Sequence, residues 1–228
     1  MSAISMQNAL MQLILASDYV SKFVLIVLFL MSIASWAIAF YKLLSLKKKK
    51  REITNAETIL NRVISFEDLA RESANLNNSM PGKILSYYLQ SLKSVLQLGN
   101  GLSEKDFEYL QITIDQHIAD VIHTEESYLN FLSTSAAVSP LLGLFGTIWG
   151  LIHSFVSISA LKSADIATVA PGIAEALITT LAGLIVAIPS LILFHYINSQ
   201  IRDLEHRLLM FISKIEMIVR YNLRGQNQ

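Results

Sequence analysis

The sequence predicts an all-α integral membrane protein in which three transmembrane helices carry long helical cytoplasmic extensions. Hydrophobic residues make up 53% of the 228 residues and charged residues only 16%, which leaves too little polar surface to cover one soluble core of this size. Three long apolar runs with few or no charges interrupt the chain. Residues 52–127, between the first two runs, contain one proline and three glycines, which favours helices there as well.

Composition excludes several classes of function. The 18 basic and 18 acidic residues give a formal net charge of zero, so there is no global electrostatic case for a nucleic-acid partner. The chain has no cysteine, which excludes disulfides and thiolate metal sites. It also lacks an HExxH motif, a glycine-rich phosphate loop and a Ser/His/Asp arrangement. We therefore expect no enzymatic activity, no metal site and no bound cofactor.

Each predicted span is long enough to cross a hydrocarbon layer of about 30 Å at ~1.5 Å per residue. The first, residues 23–44, opens with nineteen consecutive uncharged residues. The second, residues 131–158, contains no Asp, Glu, Lys or Arg, and the third, residues 169–196, contains a single acid, Glu175. The first 21 residues lack Lys and Arg and show no cleavage pattern, so the first apolar run is expected to stay in the mature protein.

Basic residues predict the orientation, because Lys and Arg close to span ends resist translocation. One side of the predicted membrane has Lys42, the run 47–51, Arg202 and Arg207, whereas the other has Lys22 and Lys162. We interpret the lysine run as a solvated cytoplasmic cluster and expect the N-terminus outside. The remaining parts are then an outer segment 1–22, a cytoplasmic helical domain 45–130, an outer loop 159–168 and a cytoplasmic helical tail 197–228.

The cytoplasmic parts are predicted to be helical, with breaks near residues 77–81 and 99–101. Ser103, followed by acidic residues, opens a helix whose apolar positions recur at helical steps into the second span. The tail has an apolar stripe and an i,i+4 pair of Asp203 with Arg207. Some polar side chains nearby do not match metal-ligand spacing and are interpreted as surface residues: His117, His123, Glu125 and Glu126.

Small residues line one face of the second span and one face of the third. In the second span this seam contains Gly143, Gly146, Gly150 and Ser154, and in the third it contains Ala176, Gly183 and Ala187. Such faces let helix backbones approach closely. Plain helix packing is the usual reason for such a seam, so spacing alone does not establish a functional surface.

Each seam also contains a threonine at a common depth. Thr147 and Thr180 both lie eleven residues in from the outer end of their span, about 16 Å by helix rise. Two hydroxyls at one depth predict a polar band in mid-membrane, although each hydroxyl could simply bond the carbonyl one turn back.

An acid and two prolines complete the candidate residues of the spans. Glu175 is costly inside a membrane and is expected to face protein or water, or else to extend to the outer surface. Pro140 and Pro189 are expected to bend their helices. His153 is expected to be an interface hydrogen-bond donor.

Two stretches of sequence resemble the signatures of the TolQ/ExbB/MotA proton-channel family. They are SPLLGLFGTIWGLIHSF, residues 139–155, and VAPGIAEALITT, residues 169–180. The position of His153 and the short N-terminus are more similar to the TolQ branch than to ExbB, and the extra span of the MotA branch is missing. Thr179 departs from the pattern, because a small residue is commoner beside the threonine.

The resemblance implies a subunit of a proton-driven motor in the bacterial inner membrane, with a periplasmic N-terminus and a cytoplasmic C-terminus. It implies that five copies surround a dimer of single-span TolR-like partners, whose aspartate carries the proton, and that a TolA-like protein also takes part. Protons are then the coupling ion, with Thr147 and Thr180 lining the pore and Glu175 as the intramembrane acid. The implied role is envelope integrity and outer-membrane constriction at division. An ExbB-like role in TonB-dependent uptake and a passive helical scaffold are the alternatives.

Overall fold

The computed structural model describes residues 18–63, 68–69, 71–72, 76, 79–97, 103–161 and 166–224, without the side chains of 157–161, 166–168 and 223–224. Five helices cover most of this part of the chain, and it contains no β-strand. They are α1 (Tyr19–Leu60), α2 (Met80–Gln97), α3 (Glu104–Glu126), α4 (Leu129–Leu161) and α5 (Ile166–Arg224). The predicted all-α class is confirmed.

Three of these helices, α1, α4 and α5, contain a segment apolar and long enough to cross a membrane. With 42 and 59 residues, α1 and α5 are about 60 and 90 Å long at ~1.5 Å per residue. Both exceed the ~30 Å hydrocarbon layer at least twofold, so each continues well beyond its span. Most of the predicted outer segment 1–22, part of the outer loop 159–168 and the predicted break at 99–101 lie outside the described residues.

The chain divides into two compact units, and the first consists of residues up to Phe40 together with Tyr128–Tyr196. Its core is small: Val24 and Leu28 of α1 are buried with Val186 of α5. Many large apolar side chains of this unit are instead exposed, such as Phe29 at 65% and Ile185 at 61%. This inside-out distribution is what a lipid-facing surface requires.

The second unit consists of Tyr41–Ser127 and residues from Ile197 onward. Here helices bury one apolar stripe each, as expected for packing in water. The predicted tail stripe on α5 is buried throughout: Ile197, Ile201, Leu204, Leu208, Ile212, Ile215 and Val219. The predicted tail pair is also present, with Arg207 Nε 3.4 Å from Asp203 Oδ2.

Helix α3 begins where its sequence predicts but ends earlier. Ser103 caps it in a reciprocal capping box with Asp106, which satisfies two backbone donors of the first turn. The prediction that this helix runs unbroken into the second span is wrong, because α3 ends at Glu126 and Tyr128 adopts a left-handed φ of 69°. Ser127 donates its backbone N–H and its hydroxyl to the carbonyl of Thr124, which closes the helix end.

The prediction of a solvated lysine run is wrong for two of its members, Lys49 and Lys50, and Lys42, which precedes the run, is also not solvated. Lys42 is buried, donates to the carbonyl oxygen of Glu125 at 2.6 Å and lies 3.8 Å from its carboxylate. Lys49 also pairs with the Glu125 carboxylate, and Lys50 lies 2.6 Å from Asp203 Oδ2. The interpretation of Glu125 as a surface residue is therefore also wrong, since two ammonium groups make its burial possible.

Helices α4 and α5 continue through Pro140 and Pro189, and α5 also contains Pro171 in its second turn. The bends expected at Pro140 and Pro189 stay predictions. His123 and Glu126 are exposed, as expected. His117 is half-buried and stacks on Tyr87 with a centroid distance of 4.2 Å.

Candidate functional site

Helices α4 and α5 approach so closely that Gly143 and Gly183 have no room for a side chain. A Cβ on Gly183 would lie 2.5 Å from the carbonyl oxygen of Ser139, and one on Gly143 would lie 2.9 Å from the backbone of Thr179 and Thr180. Ordinary contacts begin at 3.4 Å. Backbone therefore packs directly on backbone, as it does where small residues face each other in membranes.

The two predicted seams contact each other within one chain. Gly150 faces Ala176, and a Cβ added to Gly150 would lie 3.0 Å from the Cβ of Ala176. A Cβ added to Gly146 would lie 2.5 Å from Thr179 Oγ1. Ser154 faces Gly172 and donates its hydroxyl to the carbonyl of Gly150 at 2.9 Å. Ala187 is buried. This close packing fixes the positions of the threonines along both helices.

Thr147 and Thr180 meet across this interface, with 3.3 Å between their hydroxyl oxygens. Each hydroxyl also has a backbone acceptor: Thr147 donates to Leu144 at 2.7 Å and Thr180 donates to Gly143 at 3.0 Å. Both side chains are half-buried in the single chain. A hydroxyl has one proton to donate and two lone pairs that accept. If either hydroxyl rotates, it can donate to the other threonine instead of to its backbone carbonyl. The pair can then accept a further hydrogen bond from outside.

Thr179 occupies a different position from its neighbour. Its side chain is fully buried against Gly146 and donates to the carbonyl of Ala176 at 2.7 Å. Thr179 Oγ1 also lies 3.3 Å from the carbonyl oxygen of Gly143. Of these two adjacent threonines, Thr179 is therefore buried between the helices, whereas the Thr180 hydroxyl is accessible.

Glu175 and His153 do not join the threonine pair. Glu175 is half-buried on α5, and its five-residue separation from Thr180 rotates it by about 140° around the helix. His153 is exposed near the end of α4. The structure thus brings the two threonines together and leaves the acid on another side of α5.

A carboxylate that sequence reasoning missed lies near His153. Trp149 Nε1 donates to Asp18 Oδ2 at 2.7 Å. This hydrogen bond lowers the pKa of Asp18 below its usual value. The sequence shows only an acid placed just before an apolar run, because its partner Trp149 lies 131 positions away. Within the described residues no group of three or more His, Asp or Glu side chains could hold a metal ion.

Comparison with known proteins gives consistent matches. The model of the MotA/TolQ/ExbB proton channel family matches residues 76–210, which include both seams and both threonines. The Tol-Pal system protein TolQ of Haemophilus influenzae is 31% identical over 225 residues, covering 95% of this chain and 96% of that protein. The biopolymer transport protein ExbB of Salmonella typhimurium is 32% identical over 188 residues, covering 81% and 75%.

A second TolQ, from Pseudomonas aeruginosa, is 43% identical over 94 residues, covering 41% of each chain. The family match extends over more than half of the chain, and the first relative is similar over nearly its whole length. Three apolar spanning helices agree with a membrane protein of this kind. The chain therefore belongs to the MotA/TolQ/ExbB proton channel family.

Proposed function

We propose that this chain is the outer-ring subunit of a Tol-Pal-type motor of the inner membrane, driven by the proton-motive force. The observation that carries the proposal is the Thr147–Thr180 hydroxyl pair, half-buried at 3.3 Å on the close α4–α5 interface. Similarity to TolQ over 95% of the chain supports the Tol-Pal assignment. The proposed role is to energise envelope integrity and outer-membrane constriction at division.

In this mechanism the proton-carrying carboxyl group belongs to a single-span TolR-like partner. The chain itself contributes a polar patch in an apolar wall, and an acid facing hydrocarbon needs such a patch to exchange its proton. Each hydroxyl has a backbone carbonyl as an alternative acceptor, so the pair can release its mutual contact and accept from the partner's acid without leaving an unsatisfied donor. Leu144 and Gly143 provide those carbonyls.

The glycine seam has a supporting role in this proposal. The small-residue faces of α4 and α5 pack against each other within one chain. This packing holds Thr147 and Thr180 at the same depth. The partner dimer is then proposed to meet the half-exposed hydroxyl edge of this interface, inside a ring of five copies. The N-terminus is proposed to be periplasmic and the C-terminus cytoplasmic, with a TolA-like protein transmitting the motion.

The sharpest test removes both hydroxyls without changing side-chain shape. We expect Thr147→Val with Thr180→Val to insert and assemble normally but to lose detergent resistance in cells that depend on this chain. Thr134→Val is the matched control, because Thr134 is an exposed threonine of the same helix α4. Wild-type detergent resistance in the double variant would refute the role of the pair.

Similarity to ExbB over 81% of the chain favours a second candidate, an energiser of TonB-dependent uptake. Complementation separates the two. The proposal expects rescue of cells that lack TolQ and no rescue of uptake in cells that lack both TolQ and ExbB. A passive scaffold would leave the conformation of the partner unchanged when a protonophore collapses the gradient, whereas a motor subunit requires a response.

A further inference from the structure

The basic residues that follow the first span divide into two sets. Lys49 and Lys50 turn inward and pair with Glu125 and Asp203. The other three side chains are exposed and make no hydrogen bond or ion pair with the described part of the chain: Lys47, Lys48 and Arg51. These three cations therefore remain on the surface of the second unit without a carboxylate partner among the described residues.

These three cations share one face of α1 with two exposed apolar side chains. Tyr41 is 65% exposed and Leu44 is 68% exposed. At about 100° per residue, all five side chains fall within roughly 120° of the helix circumference. The face therefore changes from apolar to basic along a single helix.

The two acidic side chains of the same segment, Glu52 and Glu57, are half-buried and have other partners. Glu52 Oε2 accepts the backbone N–H of Met80 at 3.0 Å, and Glu57 lies 3.6 Å from Arg207. Between Tyr41 and Thr58 the exposed residues include no Asp or Glu. The exposed side chains of this face of α1 therefore carry positive charge only.

The spacing along α1 matches the edge of a bilayer. Lys47 and Arg51 lie three and seven residues beyond Leu44, about 5 and 10 Å by helix rise. The headgroup region on each side of the hydrocarbon core is about 5 to 8 Å thick. With Leu44 against acyl chains, Lys47 and Lys48 lie at the depth of the headgroups. Arg51 lies one turn further out, and its long side chain can extend back to the phosphates.

We propose that Lys47, Lys48 and Arg51 form a binding site for the headgroup of an anionic phospholipid, with Tyr41 and Leu44 against its glycerol and upper acyl chain. A guanidinium can hold two phosphate oxygens, and ammonium groups add point charges beside it. An acidic protein segment fits less well, because it would satisfy the charges but leave Tyr41 and Leu44 in water. The site does not depend on the proposed motor function.

The test uses the purified full-length chain in detergent, titrated with phosphatidylglycerol or phosphatidylcholine and analysed by native mass spectrometry. Basic residues near an anionic surface contribute about fivefold each. The variant Lys47→Gln/Lys48→Gln/Arg51→Gln should therefore reduce the affinity for phosphatidylglycerol at least tenfold and leave phosphatidylcholine binding unchanged. Because lipid is added to solubilised protein, an altered membrane orientation of the variant cannot mimic the effect.

A matched control removes the same charge from exposed lysines of α2 and α3, as Lys83→Gln/Lys93→Gln/Lys105→Gln. It should bind phosphatidylglycerol like the wild type, and the charge-conserving Lys47→Arg/Lys48→Arg should also retain binding. Raising the salt from 0.1 to 1 M shortens the Debye length from about 10 to about 3 Å and should remove the preference for the anionic lipid.

Three results would overturn the proposal. The first is a wild-type preference for phosphatidylglycerol in the triple variant. The second is an equal loss in both triple variants, which would mean a nonspecific effect of net charge. The third is a preference of the wild type for phosphatidylglycerol that persists at 1 M salt, which would mean that the binding does not depend on charge.

Discussion

Replacing Gly183 with alanine places a Cβ 2.5 Å from the carbonyl oxygen of Ser139 and 3.2 Å from Cα of Gly143. Both obstacles are backbone atoms, so no side chain can rotate away. Reaching an ordinary contact at 3.4 Å requires the two helices to separate by about 0.9 Å. Overpacking of this kind costs about 1–3 kcal/mol, and the gain in helix propensity from glycine to alanine offsets up to about 1 kcal/mol.

Gly150→Ala is the matched control for this change. It has the same gain in helix propensity, but its nearest neighbour is the Cβ of Ala176 at 3.0 Å, which needs to yield by only a few tenths of an ångström. We expect the Gly183 variant to be less stable than the Gly150 variant by about 1–2 kcal/mol. Unfolding by heat or SDS, followed by circular dichroism in one detergent, measures the difference.

The same separation should lengthen the contact between Thr147 and Thr180, which lie at this interface. The Gly183 variant is therefore also expected to lose function more than its stability loss alone explains, when both variants are compared at equal membrane levels. Equal stability of the two alanine variants would refute the backbone-contact reasoning. So would a Gly183 variant more stable than the wild type.

Three further predictions concern other contacts. Because the chain has no cysteine and the two hydroxyls are 3.3 Å apart, Thr147→Cys/Thr180→Cys should form an intrachain disulfide under mild oxidation, detected by mass spectrometry. Lys42→Met removes the buried ammonium group that donates to the Glu125 carbonyl and lies beside the Glu125 carboxylate. This change should lower the free energy of unfolding by about 3 kcal/mol. The Ser103 hydroxyl, and to a smaller extent its backbone N–H, donates to the Asp106 carboxylate and lowers the pKa of Asp106. These hydrogen bonds stabilise the helix start fully above the unfolded pKa of about 3.9. The stabilisation is lost as the pH falls through the lowered pKa of the folded state. Hydrogen exchange in the first turn of α3 should therefore become faster, after correction for intrinsic rates, below about pH 4, and Asp106→Asn should remove this pH dependence.

Each of these predictions has a control. Phe145→Cys/Thr180→Cys should not cross-link, because Phe145 is exposed on another side of α4; cross-linking of both pairs would mean that α4 rotates freely. Lys93→Met removes an exposed lysine and should change stability by less than about 0.5 kcal/mol, and an equal effect of both lysine variants would contradict the buried pair. An acid-induced opening that persists in Asp106→Asn would assign the titration to another group.

Sequence was sufficient for the spans, because uncharged runs of this length have few alternatives to a membrane helix. It also located the small faces and the two threonines, since helical spacing is strict enough to place residues on a face. It did not show that the glycine faces pack on each other within one chain. That arrangement depends on how α4 and α5 pair, and a periodic pattern on one helix does not name its neighbour.

The incorrect predictions concern features that the local sequence does not reveal. A lysine in a basic run is expected to be solvated, but Lys49 of the run pairs with Glu125, as does Lys42 before the run. Both lysines are more than 70 positions away from Glu125 in the chain. The turn at Ser127 and Tyr128 was missed because apolar residues recur at helical steps on both sides of it, and neither residue is a glycine or proline. Long-range partners and a non-glycine residue with positive φ leave no local signal.

In the proposed mechanism, the threonine pair lets a partner's acid exchange its proton inside the membrane. The most direct test is acidification of vesicles that contain this chain with its single-span partner, under an imposed pH gradient, followed with an internal dye. Wild type and Thr134→Val are expected to conduct protons alike, and Thr147→Val/Thr180→Val is expected to fall to the level of empty vesicles. Undiminished proton flux through a fully assembled double variant would contradict the claim.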